Sequence, residues 1–448
     1  MKKPALHAAV VAALIAASQA GWGAVSADEA AQLKSTLTPL GAEKAGNKAG
    51  SIPPWQGGVT GSLAGLNAGS GKYPDPFADE KPFIQITPQN VGQYASMLPD
   101  GAVEMLRKVQ SYRIDVYPTH RTAGATQAIY DATFKNATSA KLTEAGPSIT
   151  GAWAGIPFPI PKSGAEAMWN HALHPRPAAY EMKFRNFIGT ADGKKVLASA
   201  GEVINQVSYF MKDTTEEKEN GIYLYSRAKT TAPSFKAGES LLLQDSFDYN
   251  NNRQAWQYLV GQRRVRKAPT VGYDTPDFVA SGTDYFDEIN GFFGALDRFD
   301  WKLVGKREMY VPYNNNRFFA AGPDDALAPY HINPDRLRWE LHRVWVVDAT
   351  VKQGKRHAVP KRRFYLDEDT WTIMAVDGFD AEGKLWRFSH NLSIVAPDMH
   401  MLFMDPSIVY NIQAKTYSMI QFIDSVKQVP TRNLSYFTPD ALASESAR

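Results

Sequence analysis

Three groups of side chains have the types and spacing that chemistry requires. His171 and His174 stand three apart, a separation that sets two imidazoles on one face of a helix as a metal pair needs. Pro175 ends that helix at once and no partner at ligand spacing completes a set. The pair therefore reads as structural, and no metal site is expected. Asp367, Glu368 and Asp369 offer paired carboxylates, but they fall between two strand patterns, where consecutive acids make a solvated hairpin turn. Asn250 to Asn252 and Asn314 to Asn316 read as turns in the same way. The third group, Arg263, Arg264, Arg266 and Lys267, is a short basic run with two open readings. It pairs with the acids that follow (Asp274, Asp277, Asp284, Asp287 and Glu288), or it offers forked guanidinium groups to an anionic head group or a partner. His120, His331, His342, His357, His390 and His400 are scattered and read as structural. No nucleophile elbow, phosphate-binding loop or H-E-x-x-H pair occurs. With no catalytic constellation, the expectation is a non-enzyme with no cofactor.

The elements that must position these groups change in kind near residue 185. Before it the chain reads as helical and irregular. A short helix from Asp28 to Leu37 leads into a stretch between Gly41 and Pro76 that holds nine glycines and four prolines, an extended arm anchored by Trp55 and Tyr73. Helices follow after Thr87, over Ala102–Ser111 and Thr122–Asn136, and from the Ser163 cap to His174. The run 155–161, with alternating prolines, can only be extended and reads as an apolar strap. After residue 185 come candidate strands over 203–210, 221–229, 240–248, 255–261, 301–313, 337–350, 361–366, 371–376 and 384–393, separated by short polar turns. That texture is an antiparallel meander. Between the strand at Trp256 and the one at Trp301 lies a glycine-containing, aromatic and acidic flap over 263–300. So long a non-regular connection is seldom kept without use. Trp256, Tyr258, Trp301, Leu303, Met309, Trp339, Leu341 and Trp345 alternate along their strands into one large apolar face. Periodicity alone fits either a solid core or the lining of a cavity.

Composition narrows the class. The chain has 448 residues, 44% hydrophobic and 12% aromatic, which is a globular composition. It has no cysteine, so disulfides, thiolate catalysis, thiolate metal sites and a lipid-modified N-terminal cysteine are excluded. Lys2 and Lys3 followed by a short apolar core form a signal peptide over residues 1–27, with the mature chain expected to begin at Asp28. Without those two lysines, 47 basic side chains stand against 46 acidic ones, so nothing in the net charge favours nucleic acid. No later stretch is apolar for long enough to span a membrane. The chain is expected to be soluble and exported.

Several passages carry a resemblance: 26–47, YPTHRTA at 117–123, GIPFPIPK at 155–162, WQYLVGQRRVRKAP from Trp256, WKLVGKREMYVPYN from Trp301, HINPD at 331–335, and 340–357 with 361–371. Together they resemble a proteobacterial periplasmic family of unknown function labelled outer membrane lipoprotein-sorting protein-like. The resemblance covers nearly the whole mature chain and implies an α+β fold similar to the lipoprotein carriers LolA and LolB. In that fold a curved antiparallel β half-barrel (185–448) is covered on its concave face by helices, here with the N-terminal arm and lid of 28–184. It turns the aromatic rows into the lining of a cavity for a lipid, a lipoprotein acyl chain or an exported apolar metabolite. Arg263, Arg264 and Arg266 then stand at its mouth, and Trp339→Asp is expected to weaken binding without unfolding. Relatives of this kind accompany inner-membrane exporters of the resistance-nodulation-division type and outer-membrane proteins, so the resemblance implies such partners. The alternatives are a ligand-free adaptor of an envelope complex and an enzyme on exported lipids or glycans.

Overall fold

The computed structural model describes residues 24–59, 63–67, 69–143, 146–248 and 252–446. Residues 1–23 of the expected signal peptide, and Asn250 and Asn251, lie outside the described residues.

Two meanders make the main sheet. The first runs through β3 (Ala179–Gly189), β4 (Lys195–Gln206), β5 (Ile222–Ala232), β6 (Ser240–Ser246), β7 (Arg253–Leu259) and β8 (Arg264–Lys267), each pairing antiparallel with the next. The second runs through β9 (Phe299–Pro312), β10 (Trp339–Val351), β11 (Lys361–Asp367), β12 (Ile373–Phe379), β13 (Leu385–Asn391), β14 (Ser407–Asn411) and β15 (Thr416–Gln428). They are joined where β15 pairs antiparallel with β3, from Tyr417 against Gly189 to Gln428 against Tyr180. Two short strands, β1 (Ile84–Ile86) and β2 (Ile114–Val116), extend the sheet beside β10 through a single parallel pairing of Val116 with Trp339. The result is a curved sheet of fifteen strands that does not close on itself. The fold is α+β, as expected. The pattern read from the sequence does not include β1, β2, β3, β8, β14 or β15 as strands, and β4 starts at Lys195 and ends at Gln206 where a strand over 203–210 is expected.

Both faces of the sheet are covered. On one, Phe187, Tyr365, Phe388, Tyr410 and Met419 pack with the apolar stripe of α2 (Asp100–Lys108), namely Ala102, Val103, Met105 and Leu106. The first turn of α2 is fixed by β12: the Asp377 carboxylate accepts the Asp100 and Gly101 N–H groups at 3.0 and 2.8 Å. Gly101 is needed there, since a Cβ would stand 2.4 Å from the Phe388 ring. On the other face, Tyr180, Met182, Phe184, Val203, Phe364, Leu366 and Val426 pack with α4 (Gly164–Ala172), with Ile156 and Phe158 of the proline strap, and with Phe292 and Leu296 of the flap. Ser163 caps α4, its hydroxyl accepting the Glu166 N–H.

The N-terminal arm lies along the body. Trp55 donates to the Ala123 carbonyl at 2.9 Å, and Tyr73 to that of Val426 at 3.4 Å, the two expected anchors. The first helix, α1 (Ala27–Ala31), has a complete capping box between Ser26 and Glu29. Val25 is buried, and its N–H bonds Ala137 O in α3 (Gln127–Ser139).

Candidate functional site

The free end of the first meander carries a separate small core. Tyr225 on β5, Leu242 on β6 and Tyr258 on β7 are buried there, with Trp256 half-buried beside them. They are covered by the last segment of the chain, the turn Leu434–Phe437 and α5 (Pro439–Ser446), through Phe437 and Leu442. Side chains of the sheet hold this cover by its backbone. Arg227 Nη1 donates to Tyr436 O at 3.0 Å and Gln244 Nε2 to Phe437 O at 2.9 Å, while Gln206 bonds Arg432 N–H and C=O. Next to the cover opens a groove of about 760 Å³, lined on its apolar side by Ile149, Ile222, Tyr225, Phe247, Leu434 and Phe437, and elsewhere by polar groups including Gln244 and Gln254. Its size falls in the range of small-molecule pockets.

The basic run sits one strand away, not at the root of a lid. Arg264–Lys267 is β8, the terminal strand of the sheet, and Arg263, Arg264, Arg266 and Lys267 are all exposed. The flap acids pair with other cations: Asp274 with Arg298, Asp287 with Arg362 and His357, Glu288 with Arg387. None of the four basic residues has an ion-pair partner among the described residues, so of the two readings of this run, pairing with the flap is the one to correct. The flap is itself clamped onto the sheet, since the Asp287, Arg362, Glu288 and Arg387 side chains are almost wholly buried.

The eight residues expected to line one cavity fall into three groups. Trp256 and Tyr258 belong to the small core at the free end. Trp301, Leu303 and Trp345 lean on the flap side of the sheet. There the Trp301 indole donates to Leu296 O at 2.9 Å and lies 5.2 Å from the Phe292 ring, and Trp345 stacks on Trp371 at 6.1 Å. Met309, Trp339 and Leu341 belong to the core on the α2 side, where Trp339 is fully buried and its ring lies 5.7 Å from His390. Along β10 the apolar positions change parity: Trp339 and Leu341 share a core with Val344 and Val346, while Val347 and Ala349 face the other way. No member of the eight is among the residues lining the groove.

The acids read as a solvated turn are a buried polar centre, which is a second correction. Asp367, Glu368 and Asp369 are buried at the hairpin from β11 to β12. Arg121, from the segment after β2, forks onto Asp369 at 2.8 and 2.6 Å, and Lys306 and Arg343 bond Glu368 at 2.9 and 3.2 Å. Arg121 also donates to Glu43 O at 2.8 Å, so the hairpin receives the N-terminal arm and not water. The Tyr313 ring stacks on the His342 imidazole at 3.7 Å and its hydroxyl donates to Asp367 at 3.1 Å. Glu340 accepts from His342 Nε2 at 3.0 Å and from the His120 N–H at 2.8 Å. Burial, reinforced by the neighbouring Asp369, pushes the Asp367 carboxyl up to about 7. Burial works the same way on Glu340, but the His342 bond and the Arg338 guanidinium outweigh it and hold that carboxyl below its ordinary value. His342, Asp367 and Asp369 bring one ligand atom each within 4.8 Å of one another, the set best placed to hold a cation among the described residues. The signal missed in the sequence was distributed: no spacing links Arg121, Tyr313 and His342 to the acids they reach.

His171 and His174 are each engaged in hydrogen bonds within the fold. His171 accepts from the Ile373 N–H at 3.2 Å and bonds Phe292 O at 3.2 Å, while His174 bonds His171 O and accepts from Arg176. Burial pushes His171 down to about 3, so it stays neutral.

An open two-meander sheet with a clamped flap and a groove under its C-terminal cover defines a class of α+β proteins built on one curved antiparallel sheet. Within it, the chain belongs to the DUF1329 family of proteins of unknown function, whose pattern matches residues 85–443. It is 38% identical, over 99% of its length and 98% of the other's, to an uncharacterized protein of Pseudomonas aeruginosa. Among solved structures, it is similar to a DUF1329 family protein from Desulfovibrio piger at 14% identity, covering 59% of this chain and 92% of that one with a TM-score of 0.41. It is also similar to a LolA superfamily protein from Nitrosomonas europaea at 10% identity, covering 62% and 99% with a TM-score of 0.38. Among the described residues no helix is long and apolar enough to cross a membrane.

Proposed function

We propose that the protein is a periplasmic carrier of an amphiphile with an apolar chain and an anionic head. The observation that carries this reading is the groove of about 760 Å³ beside the C-terminal cover, apolar on one side. An apolar chain laid along Ile222, Tyr225, Phe247 and Phe437 is removed from water there, at roughly 25 cal/mol per Å² of buried surface. The exposed guanidinium groups of Arg264 and Arg266 lie on the next strand, opposite Leu259 and Gln257 and so further along β7 than Gln254 of the groove, with Arg263 just before them. All three are free of protein carboxylates among the described residues and able to fork onto a carboxylate or phosphate. Trp256 and Tyr258 extend the apolar surface when the cover lifts. A carrier needs a donor and an acceptor, and an inner-membrane exporter and an outer-membrane protein are the partners this reading requires. An enzyme is the weaker alternative, because the displaced titrations of Asp367 and Asp377 belong to buried groups that do not line the groove.

The test is fluorescence titration of the mature protein with a dansylated fatty acid and with a neutral naphthylamine dye. Wild type is expected to bind both, Phe437→Ala to weaken both, and Arg264→Glu with Arg266→Glu to weaken the fatty acid about tenfold while sparing the dye. Uptake of neither probe by folded wild type overturns the carrier reading.

A further inference from the structure

Inside the polar centre, two hydrogen-bond acceptors face one another. His342 Nε2 lies 3.0 Å from Glu340 Oε2, and Glu340 is a carboxylate that only accepts, so in the neutral ring Nε2 carries the proton and Nδ1 the lone pair. Nδ1 in turn lies 4.0 Å from Asp367 Oδ1. The two oxygens of Asp367 are treated very differently. Oδ2 receives three hydrogen bonds: from the Tyr313 hydroxyl at 3.1 Å, the Thr370 N–H at 3.0 Å and the Thr370 hydroxyl at 2.8 Å. Oδ1 receives none, in a residue with no exposed surface. A buried carboxyl oxygen that receives no hydrogen bond is costly to leave so. A separation of 4.0 Å is too long for a hydrogen bond. Two tetrahedral ligands at roughly 2.0–2.2 Å from one ion stand about 3.3–3.6 Å apart, so the imidazole and the carboxyl have about half an ångström to close around it.

We propose that His342 Nδ1, Asp367 Oδ1 and a carboxylate oxygen of Asp369 form a site for a divalent transition-metal ion of the zinc or manganese kind. Glu340 is its outer-shell partner, holding the far nitrogen of the ligating imidazole as carboxylates do in histidine–metal pairs. The π-face of Tyr313 fixes the ring from above at 3.7 Å. The imidazole suits a transition ion, and the two carboxylates supply the charge that an ion so far from water requires. Asp369 keeps lone pairs outward of its fork with Arg121, so the same carboxylate ties the ion to the segment that grips the N-terminal arm. The role is a structural bolt between hairpin and arm, acquired as the chain folds. The competing account is an imidazolium lying between Glu340 and Asp367. It satisfies the charge but leaves the 4.0 Å gap open.

The experiment measures metal by plasma mass spectrometry in the full mature chain. One sample is as purified, and another is unfolded and refolded with zinc or manganese before gel filtration. One ion per folded chain is expected, with a melting temperature that a chelator lowers. The ion is expected to be lost in His342→Gln and in Asp367→Asn, and retained in Glu382→Gln on the surface. If the two variants do not fold, X-ray absorption of cobalt-refolded wild type decides: one imidazole among oxygen donors supports the site, and oxygen donors alone overturn it. Substoichiometric metal in both wild-type preparations, or full retention in folded Asp367→Asn, overturns it as well and leaves the imidazolium.

Discussion

Single side chains here are governed by what lies on the far side of the sheet. Trp339 looks in the sequence like one of a row of cavity indoles, and Trp339→Asp like a change that spares the fold. In the structure that ring is fully buried against the α2 core, so the substitution places a charge in a dry interior. Even Trp339→Ala is expected to cost about 3–5 kcal/mol, read as the loss in urea denaturation. A second residue-scale prediction concerns pH. Burial pushes Asp377 up to about 7, against its bonds from Tyr365 and from the N–H groups of Gly101 and Asp100. The folded chain therefore holds that proton while the unfolded chain releases it, and stability from this group is complete below about pH 4 and falls as pH rises to about 7. Between pH 4 and 7, wild type is expected to lose stability relative to Asp377→Asn by an amount on the order of a few kcal/mol. Parallel melting curves check this, and a pH-independent difference between the two proteins contradicts it.

At the scale of elements, much was legible and the misses have physical causes. Trp55 and Tyr73 as anchors, the proline strap as buried packing, the Ser163 cap and most strands of both meanders follow from local pattern, because each is decided by neighbours in the chain. β15 did not stand out because it is buried on both faces and bulged twice, between Met419 and Phe422 and between Ile423 and Ser425, which breaks its alternation. The polar centre was illegible for a different reason: its partners are brought together only by the tertiary fold, as when Arg121 reaches Asp369 across 248 residues. Arg121→Ala leaves that carboxylate buried without its partner and is expected to cost about 3–5 kcal/mol and to loosen the arm, read by faster amide exchange around Lys44 and Trp55. The N-terminus gives a further prediction. Cleavage after Ala27 would remove Ser26, which caps α1, and Val25, which is buried against α3. Cleavage is therefore expected ahead of Val25, and N-terminal sequencing of exported protein that begins at Asp28 would refute this.

For the whole molecule, an open sheet poses the problem of its ends. β8 is the last strand at one of them, and four exposed cations in five residues make it a poor template for another strand. Replacing Arg264 and Arg266 by valine is expected to produce dimers or larger species in light scattering, even if ligand binding persists. The join between the meanders has a consequence of its own. Arg185 and Asp424 pair across 239 residues, and the β15–β3 seam around them forms only when those two distant segments meet. Until then each half is a ribbon with a raw edge, vulnerable to proteases and to wrong partners. Pairings between segments so distant in sequence form slowly, so closing this seam is expected to be the slow step of folding.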